Sequence, residues 1–162
     1  MIRSITGFHQ DDEGDWVADL SCLHAQHIRH RPPFDDRAWI RDASLRNDRL
    51  GSAIDCPLCD RAEMPDGLVH LRTAGPWDES TLPKALRNLH QVGASTWAIL
   101  KVLVGEVGFH LEVTPPLEVR LQAGTQQAIP PLVPHRVAPE GQMRVIVEFW
   151  GRPQATTPQT RE

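Results

Sequence analysis

Hydrophobic and polar positions change rhythm twice along the chain. Ile2 to Phe8 and Asp15 to Leu20 read as two short strands, and Asp11-Asp12-Glu13-Gly14 between them reads as a hairpin turn. From about Asp36 to Leu50 the spacing lengthens. Trp39, Ile40, Leu45 and Leu50 recur loosely at helical intervals, with Asp35 or Asp36 able to cap the start and Gly51 to stop the helix. Pro32-Pro33 blocks helix before Phe34. Asp60 to Gly67 is polar with Pro and Gly and reads as a linker. Beyond it, Leu68 to Arg72, Lys84 to His90, Thr96 to Val104, Glu106 to Val113, Leu117 to Leu121, Gln126 to Ile129, His135 to Ala138 and Met143 to Trp150 are strand-like. Gly105, Gly124, Pro130-Pro131, Pro134 and Glu140-Gly141 separate several of these runs. Many short strands with this punctuation predict a β-sandwich or barrel. The expected division is a small module over 1–62, a linker and first strand over 63–75, a barrel over 76–151 and a disordered tail over 152–162.

Composition narrows this picture. The 162 residues are 40% hydrophobic, enough for a core, and no run approaches the ~20 apolar residues of a membrane span. The first residues lack an apolar signal core, and the three cysteines are an odd count, so reduced thiols in the cytoplasm are expected. A net charge of -4 argues against nucleic acid as a partner, and nothing calls for a membrane. His27, Arg29, His30 and Arg31 are too few to reverse that. Eight histidines against no tyrosine leave histidine as the main carrier of chemistry.

The three cysteines cluster with one histidine. Cys22-Leu23-His24 and Cys56-Pro57-Leu58-Cys59 form a C-x-H … C-x-x-C set. Two short-spaced pairs can each clamp one side of a tetrahedral ion at ~2.0–2.3 Å, and this donor set suits structural zinc. The alternatives are a reduced C-x-x-C with an unrelated Cys22, or a redox pair. If the module holds zinc, its small core makes the metal a large part of its folding free energy. Metal loss should then unfold residues 1–60 and leave the barrel's melting nearly unchanged.

The run Ile5-Thr6-Gly7-Phe8-His9-Gln10-Asp11, the Trp16-Val17-Ala18 strand, the Cys22 to Pro33 stretch and the Leu50-Gly51-Ser52 to Cys59-Asp60 ending resemble a small bacterial domain of unknown function, sometimes labelled a pressure-regulated protein. The resemblance covers about residues 1–60 and implies no activity.

In the second half, Gly124, Pro130 and His135 are spaced as in the second cupin motif, whereas the His-x-His and Glu of the first motif are missing. Leu82-Pro83-Lys84-Ala85-Leu86, His90, Gly93, Thr96-Trp97, the Leu103 to Phe109 segment, Pro134-His135-Arg136-Val137 and Val147-Glu148-Phe149 resemble the cupin-like domain of tellurite-resistance proteins. That resemblance implies a jelly-roll β-barrel and a context of tellurite or related oxyanion stress. The methyltransferase part that accompanies this domain in some relatives has no counterpart here.

The expected fold is therefore mainly β: a small zinc-knuckle α+β module followed by a cupin-like jelly-roll β-barrel. A barrel could bring His90, His135 and Glu148 together as a site for a second divalent metal, Zn, Fe, Ni or Mn. The alternative is His135 packed at a strand end and Glu148 paired with Arg136 or Arg144. Trp97 and Trp150 are expected at the wall of a barrel pocket. Two functions follow as expectations: metal-dependent binding or detoxification of a small molecule or oxyanion, or a non-enzymatic sensor or adaptor. Cupin-like barrels often dimerise, so a homodimer is expected by analogy.

Overall fold

The computed structural model of the protein describes residues 1–153, so most of the tail expected to be disordered lies outside the described residues. In the first half, β1 (Ile2–Gln10), β2 (Trp16–Leu20), β3 (Ala25–His27) and β4 (Ala53–Asp55) form an antiparallel sheet in the order β3-β2-β1-β4. The expected hairpin joins β1 to β2, with Gly14 N–H donating to the Asp11 carbonyl at 3.0 Å. Inward positions Ile5, Ala18 and Leu20 pack with Ile28 and Ile40.

The long helix expected between Asp36 and Leu50 does not form. A 3-10 turn at Ala38–Arg41 is followed by one turn of helix, α1 (Ala43–Asn47). Asp42 divides them: its backbone is extended, and its carboxylate accepts the Leu45 N–H at 3.0 Å. A capping side chain in mid-segment starts a new helix rather than continuing an old one. A third short element, α2 (Pro57–Asp60), has proline at its first position, where no N–H is needed.

The second half is built on two long strands. β5 (Val69–Asp78), β6 (Trp97–Leu111), β7 (Leu117–Gln122) and β9 (His135–Gly151) lie in the order β5-β9-β6-β7, and β8 (Gln126–Ile129) pairs with the start of β6. The sequence suggests a turn at Gly105; the structure shows a bulge within one continuous strand. Register shifts against β9 occur between Val102 and Val104 and again between Gly105 and Val107. Bulges bend a strand and increase its twist. One edge of β6 therefore serves β8 along Ala98–Lys101 and β7 along Glu106–Leu111. The sheet curls as a result, closing the cupin-like barrel on Leu100, Val107, Phe109, Val137, Val145 and Val147. Likewise His135 to Ala138 and Met143 to Trp150 belong to one strand. The strand expected over Lys84 to His90 is instead a helical turn, α3 (Lys84–Arg87), opened by Pro83.

The halves are not joined by the linker alone. Trp97, the first residue of β6, is fully buried and packs in the core of the first half with Leu20, Cys22 and Cys59. Arg3 reaches the other way, its guanidinium donating to the Pro131 carbonyl at 2.9 Å. No helix among the described residues is long and apolar enough to cross a membrane.

Gly105 has φ +71°, and a Cβ placed there would lie 2.0 Å from the Gln142 carbonyl oxygen. Backbone cannot retreat as a flexible side chain can. Gly105→Ala is expected to destabilise the barrel by more than about 2 kcal/mol, read as a lowered denaturant midpoint.

Candidate metal centre and ligand cavity

Two tight turns bring four donor atoms to one buried point. After β2 the chain reverses at Ser21-Cys22-Leu23, where Leu20 N–H donates to the His24 carbonyl at 2.9 Å and Leu23 adopts φ +73°. A leucine in the left-handed region is strained by about 1–2 kcal/mol, and here it sits between the two ligands of one pair. The second pair spans one turn. Cys56 precedes α2, Cys59 lies three residues on, and Cys59 N–H donates to the Cys56 carbonyl at 3.2 Å.

The separations match a tetrahedron. His24 Nδ1 lies 3.4 Å from Cys22 Sγ, 3.4 Å from Cys56 Sγ and 3.6 Å from Cys59 Sγ, and Cys22 and Cys56 Sγ are 3.8 Å apart. Bonds of about 2.3 Å to sulfur and about 2.0 Å to nitrogen give tetrahedral edges of about 3.8 Å between sulfurs and about 3.5 Å from sulfur to nitrogen. All four residues are buried, and their donor atoms lie within 4.8 Å of one another. This cluster could hold a metal ion such as zinc.

The histidine is set for that role from behind. His24 Nε2 is 3.0 Å from the Glu63 carbonyl oxygen, which can only accept, so Nε2 carries the proton and Nδ1 presents its lone pair to the thiols. Ala62, at φ +50°, turns the chain as α2 ends, and Glu63 N–H donates back to the Leu58 carbonyl at 2.9 Å. Trp97 seals the other side: its indole stands edge-on to His24 at 5.4 Å, and Nε1–H donates to the Cys22 carbonyl at 2.8 Å.

Without a cation the thiols cannot all ionise. The hydrogen bond with Cys59, seconded by His24, holds Cys22 down to about 4. That same bond pushes the Cys59 thiol up, and burial pushes Cys56 up. One buried thiolate is tolerated and two or three are not, whereas a divalent cation favours all three.

The barrel has a cavity of about 270 Å³ beside its core, walled by Leu100, Ile129, Val137 and Phe149. His90 and His135 both line it, their backbones paired and their ring centroids 4.1 Å apart. His135 is almost fully buried, and burial lowers its imidazole to about 4. Arg72, from β5, lines the cavity with its guanidinium 3.6 Å above the Phe149 ring.

Glu148 does not join the two histidines. Val147 and Phe149 line the cavity, and strand alternation turns Glu148 to the opposite face of β9. There its Oε1 accepts from Lys101 Nζ at 2.7 Å, not from Arg136 or Arg144, and Oε2 is buried without a partner. The three-residue site expected for a second metal is therefore not assembled. Trp97 and Trp150 do not line the cavity either. Trp97 lies in the first half's core, and Trp150 stacks edge-on against His70 at 5.5 Å. Arg72 escaped the sequence reading, although it is the one formally charged residue between Val69 and Trp77. Glu63 escaped because its backbone, not its side chain, acts.

Comparisons with known proteins agree with this division. Residues 6–63 match the family described as "Protein of unknown function (DUF3565)", and residues 72–147 match the TehB-like domain. The chain joins a DUF3565 domain to a TehB-like domain. For the fold alone, a crystallised protein from E. coli strain K12 is similar at 17% identity and a TM-score of 0.51, over 61% of this chain and 96% of that one. TehB from Haemophilus influenzae is 21% identical over 54% of this chain and 32% of its own, with a TM-score of 0.48. A cupin protein from Bacteroides fragilis is 16% identical over 57% of this chain and 69% of its own, with a TM-score of 0.35. No curated protein matches the chain.

Because Trp97 belongs to the TehB-like domain yet closes the metal centre, the two domains should not melt independently. Chelation or Cys56→Ser is expected to lower the thermal transition of both, followed by near-UV circular dichroism and by limited proteolysis of each half. Trp97→Phe, which leaves the Cys22 carbonyl without its donor, is expected to cost about 1–3 kcal/mol by denaturant titration.

Proposed function

We propose that this protein binds a small oxyanion in the cavity of its TehB-like domain, with a zinc ion at Cys22, His24, Cys56 and Cys59 holding the DUF3565 domain and its contact with the barrel in place. The observation that carries this reading is the composition of the cavity wall. Arg72, His90 and His135 line it and no carboxylate does, in a chain whose formal charge is -4. A pocket with a guanidinium stacked on Phe149 and no carboxylate among its described lining residues, in a net acidic protein, favours an anion. Apolar walls lower the local dielectric and strengthen that attraction. The cavity's 270 Å³ compares with about 30 Å³ per water in the liquid, so it has room for a ligand of several heavy atoms. Tellurite and related oxyanions are the first candidates, through the resemblance of residues 72–147 to the tellurite-resistance domain.

The reading is a binding function, in which Arg72 and the two histidines hold the anion. Binding here needs no barrel metal, since the carboxylate that would complete such a site faces away. A sensor or adaptor is favoured by one further observation. Trp97 closes the metal centre and begins β6, the strand that also contributes Leu100 to the cavity wall. Loss of the metal would then be felt in the cavity.

Elemental analysis is expected to give one zinc per chain, unchanged by His135→Ala. Calorimetric titration with tellurite, selenite and phosphate is expected to show one site, weakened at least about tenfold by Arg72→Gln, as for loss of one charged hydrogen-bond partner. Equal affinity in wild type and Arg72→Gln would remove the cavity from the account. A fall in anion affinity on chelation would select the sensor reading over simple binding.

A further inference from the structure

The ring protons of the two cavity histidines can be assigned from what each nitrogen faces. His90 Nδ1 is 3.0 Å from the Asn88 carbonyl oxygen, and His135 Nδ1 is 2.8 Å from the Val133 carbonyl oxygen. A carbonyl oxygen only accepts, so Nδ1 donates on both rings. A neutral imidazole has a single N–H, which leaves Nε2 of each ring as a lone pair. Among the described residues neither Nε2 has a partner, and neither is among the buried side-chain atoms sealed without one. Both rings line the cavity with their centroids 4.1 Å apart.

This arrangement sets a conflict inside the cavity. Arg72 attracts an anion, while the two neutral imidazoles offer it no donor at Nε2. One added proton resolves the conflict by turning an Nε2 lone pair into a donor with positive charge. We propose that the cavity takes up a small oxyanion together with one proton, which is held on Nε2 of the His90–His135 pair while Arg72 supplies the permanent charge. The inference rests on the anion-binding reading above and adds how the site is regulated.

The groups around the pair leave no other candidate for that proton. β5 contributes Arg72, the segment after α3 contributes His90 and Gln91, and β9 contributes His135. β6 and β8 present Leu100 and Ile129. Lys101 and Glu148 pair with each other, with Glu148 on the opposite face of β9. Burial keeps His135 neutral near pH 7 when nothing is bound, and a neighbouring imidazolium at His90 would add to that. The anion stabilises the protonated form, so the bound pair has the higher pKa. Affinity is then greatest at low pH and falls as pH rises through the bound-state pKa, by up to about tenfold per unit.

The test uses the full chain and two probes that do not titrate between about pH 6 and about pH 8.5, sulfate and acetate. Calorimetric titrations at each pH, repeated in two buffers of different ionisation enthalpy, count the protons taken up. The expected result is uptake approaching one proton per anion between the free-state and bound-state pKa values of the pair, with affinity falling about tenfold per pH unit there and levelling off above the bound-state value. Arg72→Gln should weaken binding at every pH and leave that slope unchanged. His90→Gln and His135→Gln, checked for folding by circular dichroism, should each flatten it. Anion binding with no proton uptake and a flat profile in wild type would overturn proton coupling and leave the anion site standing. Failure of both probes, and of tellurite, selenite and phosphate, to bind at any pH would overturn the coupling and the anion-binding reading together.

Discussion

Three thiols and an imidazole packed within a few ångströms form an arrangement that could hold a cation. Each thiolate would be buried beside another, and no lysine or arginine side chain reaches the cluster by hydrogen bond or ion pair among the described contacts. Much of the DUF3565 domain is organised to make that arrangement. The strained Leu23 turn, the proline-led turn of α2 and the left-handed Ala62 each aim one donor or its support. The sheet of four strands is short, and its core is shared with residues from the barrel. A metal at this point would contribute what the small core cannot.

The same point joins the two domains. The Trp97 indole donates to the Cys22 carbonyl and packs its ring against His24, both residues of the candidate metal centre. A buried aromatic anchored by a hydrogen bond is both a large apolar contact and a geometric constraint. Because it is also the first residue of β6, the strand that curls the barrel and walls the cavity, the metal centre and the cavity share a rigid element. The Arg3 contact to Pro131 reaches the loop that leads to His135, a second mechanical link in the same direction.

In the barrel, alternation along β9 governs the chemistry. Odd-numbered Val145, Val147 and Phe149 face inward, so Glu148 must face out and meet Lys101. A site with two histidines and a carboxylate becomes a site with two histidines and an arginine. The change leaves the cavity lined by two histidines and Arg72, which comes from the neighbouring strand, with no carboxylate among the described lining residues.

The sequence by itself determined the mainly β architecture, the first hairpin and the four-residue Cys/His set. These rest on local rules: strand alternation, glycine and proline turns, and ligand spacings that span one turn each. The jelly-roll expectation and its pairing of the two histidines came from resemblance, with no local signal behind it. Tertiary structure decided the rest. Whether Gly105 made a turn or a bulge depended on how β9 paired across it, and whether Asp42 interrupted a helix depended on what its carboxylate could cap. Glu148 faced away because the barrel's interior lay on the other side of β9, a choice that strand periodicity leaves open between two faces. Trp97, the first residue of β6, packs around the Cys/His cluster rather than in the barrel, a contact between distant segments that no local pattern specifies.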